Sequence, residues 1–213
     1  MTDHLTLTKE ALLKEIGEIV TDKSVLEVLN KVPRQYFVPP DQYDFSYKNV
    51  PLPIGDSQTI SQPLIVCMMI ELLELKYTDK VLDVGSGSGY QTALLAEFSN
   101  RVIGVERIKR LVQISKQTIS KLGYKNIEIY QAEEELGYLK LAPYDAIIVG
   151  AAAPKLPLKL IEQLTPKGRL VIPVGDRKTQ ELVKVVKTEE SYHVTTHGNC
   201  RFVPLIGKGA WQR

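Results

Sequence analysis

The regular alternation of short apolar segments with amphipathic segments between residues 80 and 175 restricts the fold more than any other feature of this sequence. Short apolar runs predict buried strands, and apolar residues at intervals of three and four predict helices. Strands and helices that alternate at this spacing indicate a doubly wound α/β domain with a parallel sheet. The predicted strands cover residues 80–84, 101–105, 126–130, 144–149 and 168–174, and the helices cover 89–99, 108–122 and 157–164.

The flanking segments differ in character from this alternating region. Before residue 49 we predict two helices, the first capped by Thr8 and the second over residues 24–32. A proline-rich stretch, extended or looped, then begins at Pro39 and continues through Pro53. A strongly apolar helix is predicted over residues 62–75. After residue 175 the pattern predicts strands without intervening helices, as an antiparallel edge or C-terminal extension, over residues 182–187, 192–196 and 202–206.

Length and charge exclude several classes of protein. A chain of 213 residues fits one domain. The net charge of +2 lacks the strongly basic balance typical of nucleic-acid-binding domains. The longest apolar run, residues 64–70, is far shorter than the roughly 18 residues that span a bilayer. We therefore expect a cytoplasmic protein with neither nucleic acid nor membrane as partner. Its N-terminus has no basic region of the kind that opens a signal peptide.

A glycine-rich turn follows the first strand of the alternating region. The strand ends at Asp83-Val84, and Gly85-Ser86-Gly87-Ser88-Gly89 then opens a helix. Glycines permit a tight turn and let a ligand approach backbone N–H groups. The next strand ends in Glu106, 21 residues after Gly85, where a carboxylate can accept hydrogen bonds from both hydroxyls of an adenosine ribose. The alternative for Glu106 is a solvated carboxylate at a strand end.

The residues around this turn favour one adenosine cofactor. Tyr90 stands where the dinucleotide pattern requires glycine or alanine. Asp83 would repel a pyrophosphate but suits a ligand with an ammonium group and a cationic sulfonium. We therefore predict a site for S-adenosylmethionine, whose product is S-adenosyl-L-homocysteine.

A second signal is the segment Thr59-Ile60-Ser61-Gln62-Pro63. Ser61 can cap the apolar helix that follows, with Pro63 in the first turn. It can also be a functional hydroxyl. The spacing by itself favours the capping role, and the sequence leaves both open.

Seven segments together resemble the protein-L-isoaspartate O-methyltransferase family. They cover residues 59–63, 69–73, 85–93, 142–147, 150–154, 168–175 and 201–205. The resemblance runs in order from about Val32 to Trp211. It implies a Rossmann-like S-adenosylmethionine-dependent methyltransferase fold in a single domain. Residues 1–49 would form an N-terminal helical segment, 50–175 the cofactor-binding core, and 176–213 a mostly β extension.

The resemblance also implies an activity and a set of site residues. A methyl group would pass from S-adenosylmethionine to the free α-carboxylate of L-isoaspartyl residues, and less well of D-aspartyl residues, in damaged proteins and isoaspartyl peptides. Ser61 would be the active-site hydroxyl. The cofactor would contact Thr59, Ser61, Gln62, Asp83, Gly85, Ser86, Gly87, Gly89, Glu106, Arg107, Glu133 and Glu134. The peptide would contact Ile60, Ala151, Ala152, Pro154, Val174, Gly175, Arg201, Phe202 and Val203.

The chemistry of this reaction needs neither a general base nor a metal. A carboxylate with a pKa near 4 is already ionised at pH 7, so catalysis can rest on alignment of the reacting atoms. The three histidines are then bystanders, and we expect no zinc site at His193, His197 and Cys200.

One segment departs from the family pattern. The family carries Gly-Asp-Gly where this chain has Ala132-Glu133-Glu134. We expect Glu133 to take the place of the acid that meets the adenine amino group, and the alternative is a solvated acidic loop.

Other functions follow from other readings of the same residues. The residues at 150–154 lack the Asn/Asp-Pro-Pro-Tyr/Phe pattern of enzymes that methylate base amino groups, and neither cysteine follows a proline as in cytosine-carbon methyltransferases. A methyltransferase for a small-molecule carboxylate and a non-catalytic cofactor-binding relative both stay open.

Overall fold

A computed structural model describes residues 4–212, and within that range a seven-stranded sheet forms the centre of the protein. The helices are α1 (His4–Gly17), α2 (Lys23–Lys31), α3 (Pro63–Leu73), α4 (Tyr90–Ala96), α5 (Lys109–Lys121) and α6 (Leu158–Glu162). The strands are β1 (Leu52–Gly55), β2 (Gln58–Ile60), β3 (Lys80–Val84), β4 (Arg101–Glu106), β5 (Ile127–Gln131), β6 (Tyr144–Val149), β7 (Leu164–Gly175), β8 (Gln180–Lys187) and β9 (Tyr192–Cys200). None of the described helices has the length and apolar character needed to cross a membrane.

The sheet topology confirms the predicted doubly wound α/β fold. The strand order is β5-β4-β3-β6-β7-β8-β9, in which β3 to β7 pair in parallel and β8 and β9 are antiparallel. The order reverses at β3, where Val84 is level with Val105 of β4 and with Val149 of β6. In open α/β sheets, ligands bind in the crevice at the carboxyl ends of the strands beside such a reversal.

Alternate residues of the central strands pack on opposite faces of the sheet. Val81 and Ile148 belong to the core that contains helices α1 to α5, whereas Leu82 and Ile147 face the core that contains α6. Because both faces are covered, these strands are apolar along nearly their whole length. Glu71 of α3 accepts hydrogen bonds from the backbone N–H groups of Thr21 and Asp22, which connects the segment between α1 and α2 to α3.

Two predicted local features are wrong. Thr8 lies inside α1, where its hydroxyl donates to the carbonyl of His4 at 3.1 Å instead of capping the helix. Residues 202–206 are not a strand of the sheet, and Pro204 in their middle has no N–H to donate to a neighbouring strand. This segment pairs instead with Ala152, whose N–H donates to Val203 and whose carbonyl accepts from Leu205, both at 2.8 Å.

The hairpin of β1 and β2 was not expected from the sequence. Its strands are short and contain Pro53, so the pattern predicts only an extended or looped stretch. Asp56 and Ser57 at its tip both have positive φ, at 53° and 57°. Arg110 of α5 holds this tip, donating to the Asp56 carboxylate at 2.7 Å and to the Ile54 carbonyl at 2.9 Å.

Candidate functional site

Three adjoining cavities lie at the carboxyl ends of β3, β4 and β6. The first cavity is lined by Glu106 and Glu133. The second lies between Ser61 and the glycine turn. The third is lined by Arg201 and its neighbours. The first and second share Gly85, and the second and third share Thr59, Ser61 and Gly150. We call these three adjoining cavities the groove.

The glycine turn forms the floor of this groove. Gly85 and Gly87 have φ of +79° and +53°, and the N–H groups of Gly85 and Ser86 donate to the Val105 carbonyl at 2.8 and 3.1 Å. Positive φ is readily adopted only by glycine. Gly150 closes the opposite side, where a Cβ atom would lie 3.0 Å from the Gly85 carbonyl oxygen. Because these glycines have no side chains, a ligand in the cavities can approach the backbone closely.

Gly89 differs from the other glycines of the turn. Its φ is +90°, and a Cβ atom there would lie 3.2 Å from Cβ of Ser115 on α5. Of residues 4–212, those lining the three cavities do not include Gly89. Gly89 allows α4 to pack closely against α5, and its contact with the cofactor stays a prediction.

Glu106 is buried at the end of β4, with 7% of its surface exposed. One carboxylate oxygen accepts from the Gly87 N–H at 3.1 Å and the other from the Ile108 N–H at 2.7 Å. A carboxylate has about four acceptor positions, so two remain for a ligand in the first cavity. The structure thus favours the binding role over a solvated strand end.

Asp83 is buried beside α4. Its carboxylate is fully buried and accepts from the Gln91 amide at 2.8 Å and from the Thr92 hydroxyl at 2.6 Å. Within the described chain it lines none of the three cavities, whereas Gln91 lines the second. Asp83 thus contacts the site through Gln91 of α4, and its own contact with the cofactor stays a prediction.

The burial of Asp83 has a measurable consequence for stability. Desolvation raises the pKa of Asp83 to about 6 from 3.8, against the opposing hydrogen bonds from Thr92 and Gln91. The folded protein then holds this proton more tightly than the unfolded chain, so the free energy of unfolding falls as the pH rises from about 4 to about 6.

We expect Asp83→Asn to remove this loss and to be more stable than the wild type at pH 8 by on the order of 2–3 kcal/mol. The asparagine can still accept from Gln91 and can donate to Thr92. Thermal unfolding of both proteins between pH 4 and pH 8 measures the difference. Parallel curves for the two proteins would contradict the prediction.

Ser61 lies between the second and third cavities, and it does not cap α3. Gln62 occupies the cap position without a side-chain hydrogen bond, and the N–H of Leu64 donates to the Asn49 side chain at 3.1 Å. Among the residues that the structure describes, no hydrogen bond engages the Ser61 hydroxyl. The structure therefore disfavours the capping role. Thr59 lines both cavities with Ser61, Ile60 lines the second, and Gln62 lines the third.

The predicted peptide-contacting residues divide into two groups. Arg201, Phe202 and Val203 line the third cavity, and Ala151 lines the first. Ala152, Pro154, Val174 and Gly175 line none of the three cavities formed by residues 4–212. Ala152 and Gly175 are engaged in backbone hydrogen bonds to neighbouring segments. Ala152 bonds to Val203 and Leu205 of the 201–205 segment, and the peptide contacts of this second group stay predictions.

The acidic loop at 132–135 borders the outer end of the first cavity. The Ala132 N–H donates to the Glu106 carbonyl at 2.9 Å, and Glu133 and Arg107 line the cavity. The Glu133 carboxylate forms an ion pair with Lys140 and is about half exposed. Glu134 lies outside the first cavity, and its carbonyl accepts from the Lys208 N–H at 3.0 Å. Glu134 lines a neighbouring cavity together with Arg107 and Glu133, and its contact with the cofactor stays a prediction.

Sequence reasoning missed several residues that line the groove. Gln58 reaches the first cavity from the hairpin, and Gln91 and Gly150 line the second. Gln91 and Gly150 stand inside the segments that carry the family resemblance, so that signal could have found them. Gln58 had no signal, since its place depends on the Arg110 contacts with the hairpin. No group of three metal-ligating side chains occurs in the described part of the chain.

Comparisons with known proteins agree on one family. The family Protein-L-isoaspartate(D-aspartate) O-methyltransferase matches residues 7–210. Protein-L-isoaspartate O-methyltransferase 1 of Syntrophobacter fumaroxidans is 49% identical over 193 residues, 91% of this chain and 90% of its own. Protein-L-isoaspartate O-methyltransferase of Methanospirillum hungatei is 43% identical over 214 residues, 100% of this chain and 99% of its own.

A solved structure is similar over nearly the whole chain. It is a Plasmodium falciparum protein assigned as a protein-L-isoaspartate O-methyltransferase, in complex with S-adenosyl-L-homocysteine. The TM-score is 0.79 at 29% identity, over 92% of this chain and 96% of that one.

Proposed function

Because this chain belongs to the protein-L-isoaspartate(D-aspartate) O-methyltransferase family, we propose that it methylates the free α-carboxylate of L-isoaspartyl residues, and less well of D-aspartyl residues, in damaged proteins. S-adenosylmethionine is the methyl donor. The observation that carries the proposal is the groove, in which the first cavity holds Glu106, the third holds Arg201, and Ser61 lies between the second and the third.

The residues of the first and second cavities suit an adenosine bearing a methionine end. Glu106 presents a fixed carboxylate to the ribose hydroxyls, and Arg107 and Glu133 stand on the adenine side. The turn at 85–87 borders the space for the methionine end, together with Gln91 and Thr59. When bound, the cofactor supplies an electrophilic methyl group on a sulfonium sulfur.

Ser61 and the third cavity orient the peptide in this proposal. The substrate carboxylate is ionised at pH 7 and needs no base. The Ser61 hydroxyl donates to one carboxylate oxygen and directs the other toward the second cavity, so that alignment lowers the barrier. Arg201 adds positive charge beside an anionic substrate, and the β1–β2 hairpin limits the access of water.

The test compares two peptides that differ only in one linkage. Transfer of labelled methyl from S-adenosylmethionine is measured with an isoaspartyl peptide and with the same sequence containing normal aspartate. We expect incorporation into the first alone, because isoaspartate adds a methylene to the backbone and leaves a free α-carboxylate. Equal incorporation into both would reject the repair function. Incorporation into neither, with cofactor bound, would favour the small-molecule or non-catalytic alternative.

Glu133 provides a test of the adenine side of the site. We expect Glu133→Ala to raise the dissociation constant of S-adenosylmethionine by roughly threefold to tenfold, the range for one hydrogen bond. Lys140→Met is the matched control, since it removes the ion pair of Glu133 but keeps the acid. Titration calorimetry on both variants measures the effect. An unchanged constant in Glu133→Ala would make the acid a solvated loop residue.

We further propose that the chain acts as one methyltransferase domain in the cytoplasm, on isoaspartyl-containing proteins and without a nucleic-acid or membrane partner. Its near-balanced charge and its cysteine spacing support this setting. The packing of the N-terminal helices into the same core as α3 and α4 supports the single domain.

A further inference from the structure

Arg34 is completely buried, although its guanidinium carries a positive charge. Its Nε donates to the Ser46 carbonyl at 2.8 Å, and one terminal nitrogen donates to the Val50 carbonyl at 3.5 Å. Within residues 4–212 it makes no ion pair with a carboxylate. A buried charge without an ionic partner is costly. This cost indicates that the guanidinium has a role beyond packing in the core.

The same guanidinium also contacts an aromatic side chain beside the glycine turn. Its central carbon lies 4.9 Å from the ring centre of Tyr90, the first residue of α4. Tyr90 is buried and lines the second cavity, next to the glycine turn. Stacking of a planar guanidinium on an aromatic ring fixes both groups in orientation and in separation.

The segment that Arg34 holds, residues 46–50, leads directly to Ser61. It runs into the β1–β2 hairpin, and Ser61 follows the last residue of β2. Within this segment, Asn49 accepts from the Leu64 N–H in the first turn of α3, at 3.1 Å. Ser61 thus lies between a hairpin that continues from residues 46–50 and a helix whose first turn bonds to Asn49 of that segment.

We propose that Arg34 is a positioning residue that sets the distance between Ser61 and the glycine turn. It does so by holding residues 46–50 against Tyr90. This inference deepens the proposed function and rests on it for the role of Ser61. The guanidinium can act in this way because its planar set of donors bonds to two carbonyls while its central carbon lies over the Tyr90 ring, and lysine has no such planar set of donors.

The first test compares Arg34→Lys and Arg34→Met with Arg101→Met as control. Arg101 forms an exposed ion pair with Glu128 at the far strand of the sheet. We expect kcat for an isoaspartyl peptide to fall roughly ten- to hundredfold in Arg34→Lys, as for a small misplacement of a reacting group. We expect the dissociation constant of S-adenosyl-L-homocysteine to change by less than about threefold, the spread of a single weak contact.

Hydrogen–deuterium exchange supplies a readout that does not depend on activity. Amides of residues 57–66 should exchange faster in Arg34→Lys than in the wild type, because the support of the hairpin and of Leu64 is weakened. The same amides should be unchanged in Arg101→Met. Wild-type kcat together with wild-type exchange at 57–66 in Arg34→Lys would overturn the proposal. So would equal losses of kcat and cofactor affinity with unchanged exchange.

If the Arg34 variants do not fold, a second pair of variants tests whether residues 46–50 position Ser61. Asn49→Ala removes the acceptor for Leu64, whereas Glu15→Ala removes only the other hydrogen bond of Asn49, at 2.7 Å. Faster exchange at 61–66 and a lower kcat are expected in Asn49→Ala alone, and identical behaviour of the two would overturn the proposal. If the wild type methylates no isoaspartyl peptide, the proposed function fails, and the exchange comparison still decides the role of Arg34.

Discussion

Replacing Glu106 by alanine is expected to weaken S-adenosylmethionine binding by about 1–3 kcal/mol, or roughly five- to 150-fold in dissociation constant. The carboxylate is buried in the first cavity and oriented by the N–H groups of Gly87 and Ile108. Its loss removes charge-assisted hydrogen bonds to the ribose and loosens the glycine turn. Titration calorimetry with the purified variant measures the change.

Two further variants separate these effects. Glu106→Gln keeps the shape and one acceptor oxygen, so its loss of affinity should lie between wild type and Glu106→Ala. Glu128→Ala removes an acid from the neighbouring strand β5 that lies outside the three cavities, and it should bind normally. Unchanged affinity in a folded Glu106→Ala protein would show that the carboxylate does not meet the cofactor.

Ser61→Ala is expected to lower kcat/KM for an isoaspartyl peptide by roughly ten- to hundredfold, the effect of losing alignment at the reacting centre. The melting temperature should hardly change, because Asn49 and not Ser61 supplies the side-chain acceptor at the start of α3. Initial rates and thermal unfolding on the same preparation give both quantities.

The control for this variant is Ser120→Ala, which removes an exposed hydroxyl from the last turn of α5. It should leave both the rate and the melting temperature unchanged. A Ser61→Ala protein with full activity and a melting temperature lowered by the loss of about 1 kcal/mol would restore the capping role.

The predicted strands of the central sheet agree closely with the structure. Those at 80–84 and 144–149 have the same bounds in both. Such short apolar runs are buried on both faces, so the pattern is strong and few conformations satisfy it. The hairpin at 52–60 had no such pattern, because it is stabilised by Arg110 from a helix more than 50 residues away.

The candidate site was predicted unevenly, and the reason lies in the geometry of each residue. The burial of Glu106 in the first cavity agrees with its predicted role, since the end of a parallel strand points to the ligand crevice whatever surrounds it. Asp83 also ends a strand, but its side chain faces α4, where Gln91 and Thr92 occupy its oxygens. Sequence spacing does not distinguish these two environments.

The sequence by itself determined the order of strands and helices between residues 80 and 175, the glycine turn and the acid that ends β4. These features depend on local periodicity and on backbone conformations that few residues adopt. Only the tertiary structure decided that Asn49 caps α3, that Arg34 joins residues 46–50 to Tyr90, and that Ala152 holds the 201–205 segment. Each of these is a contact between residues far apart in the chain, and such contacts arise from the packing of whole elements, which no local pattern encodes.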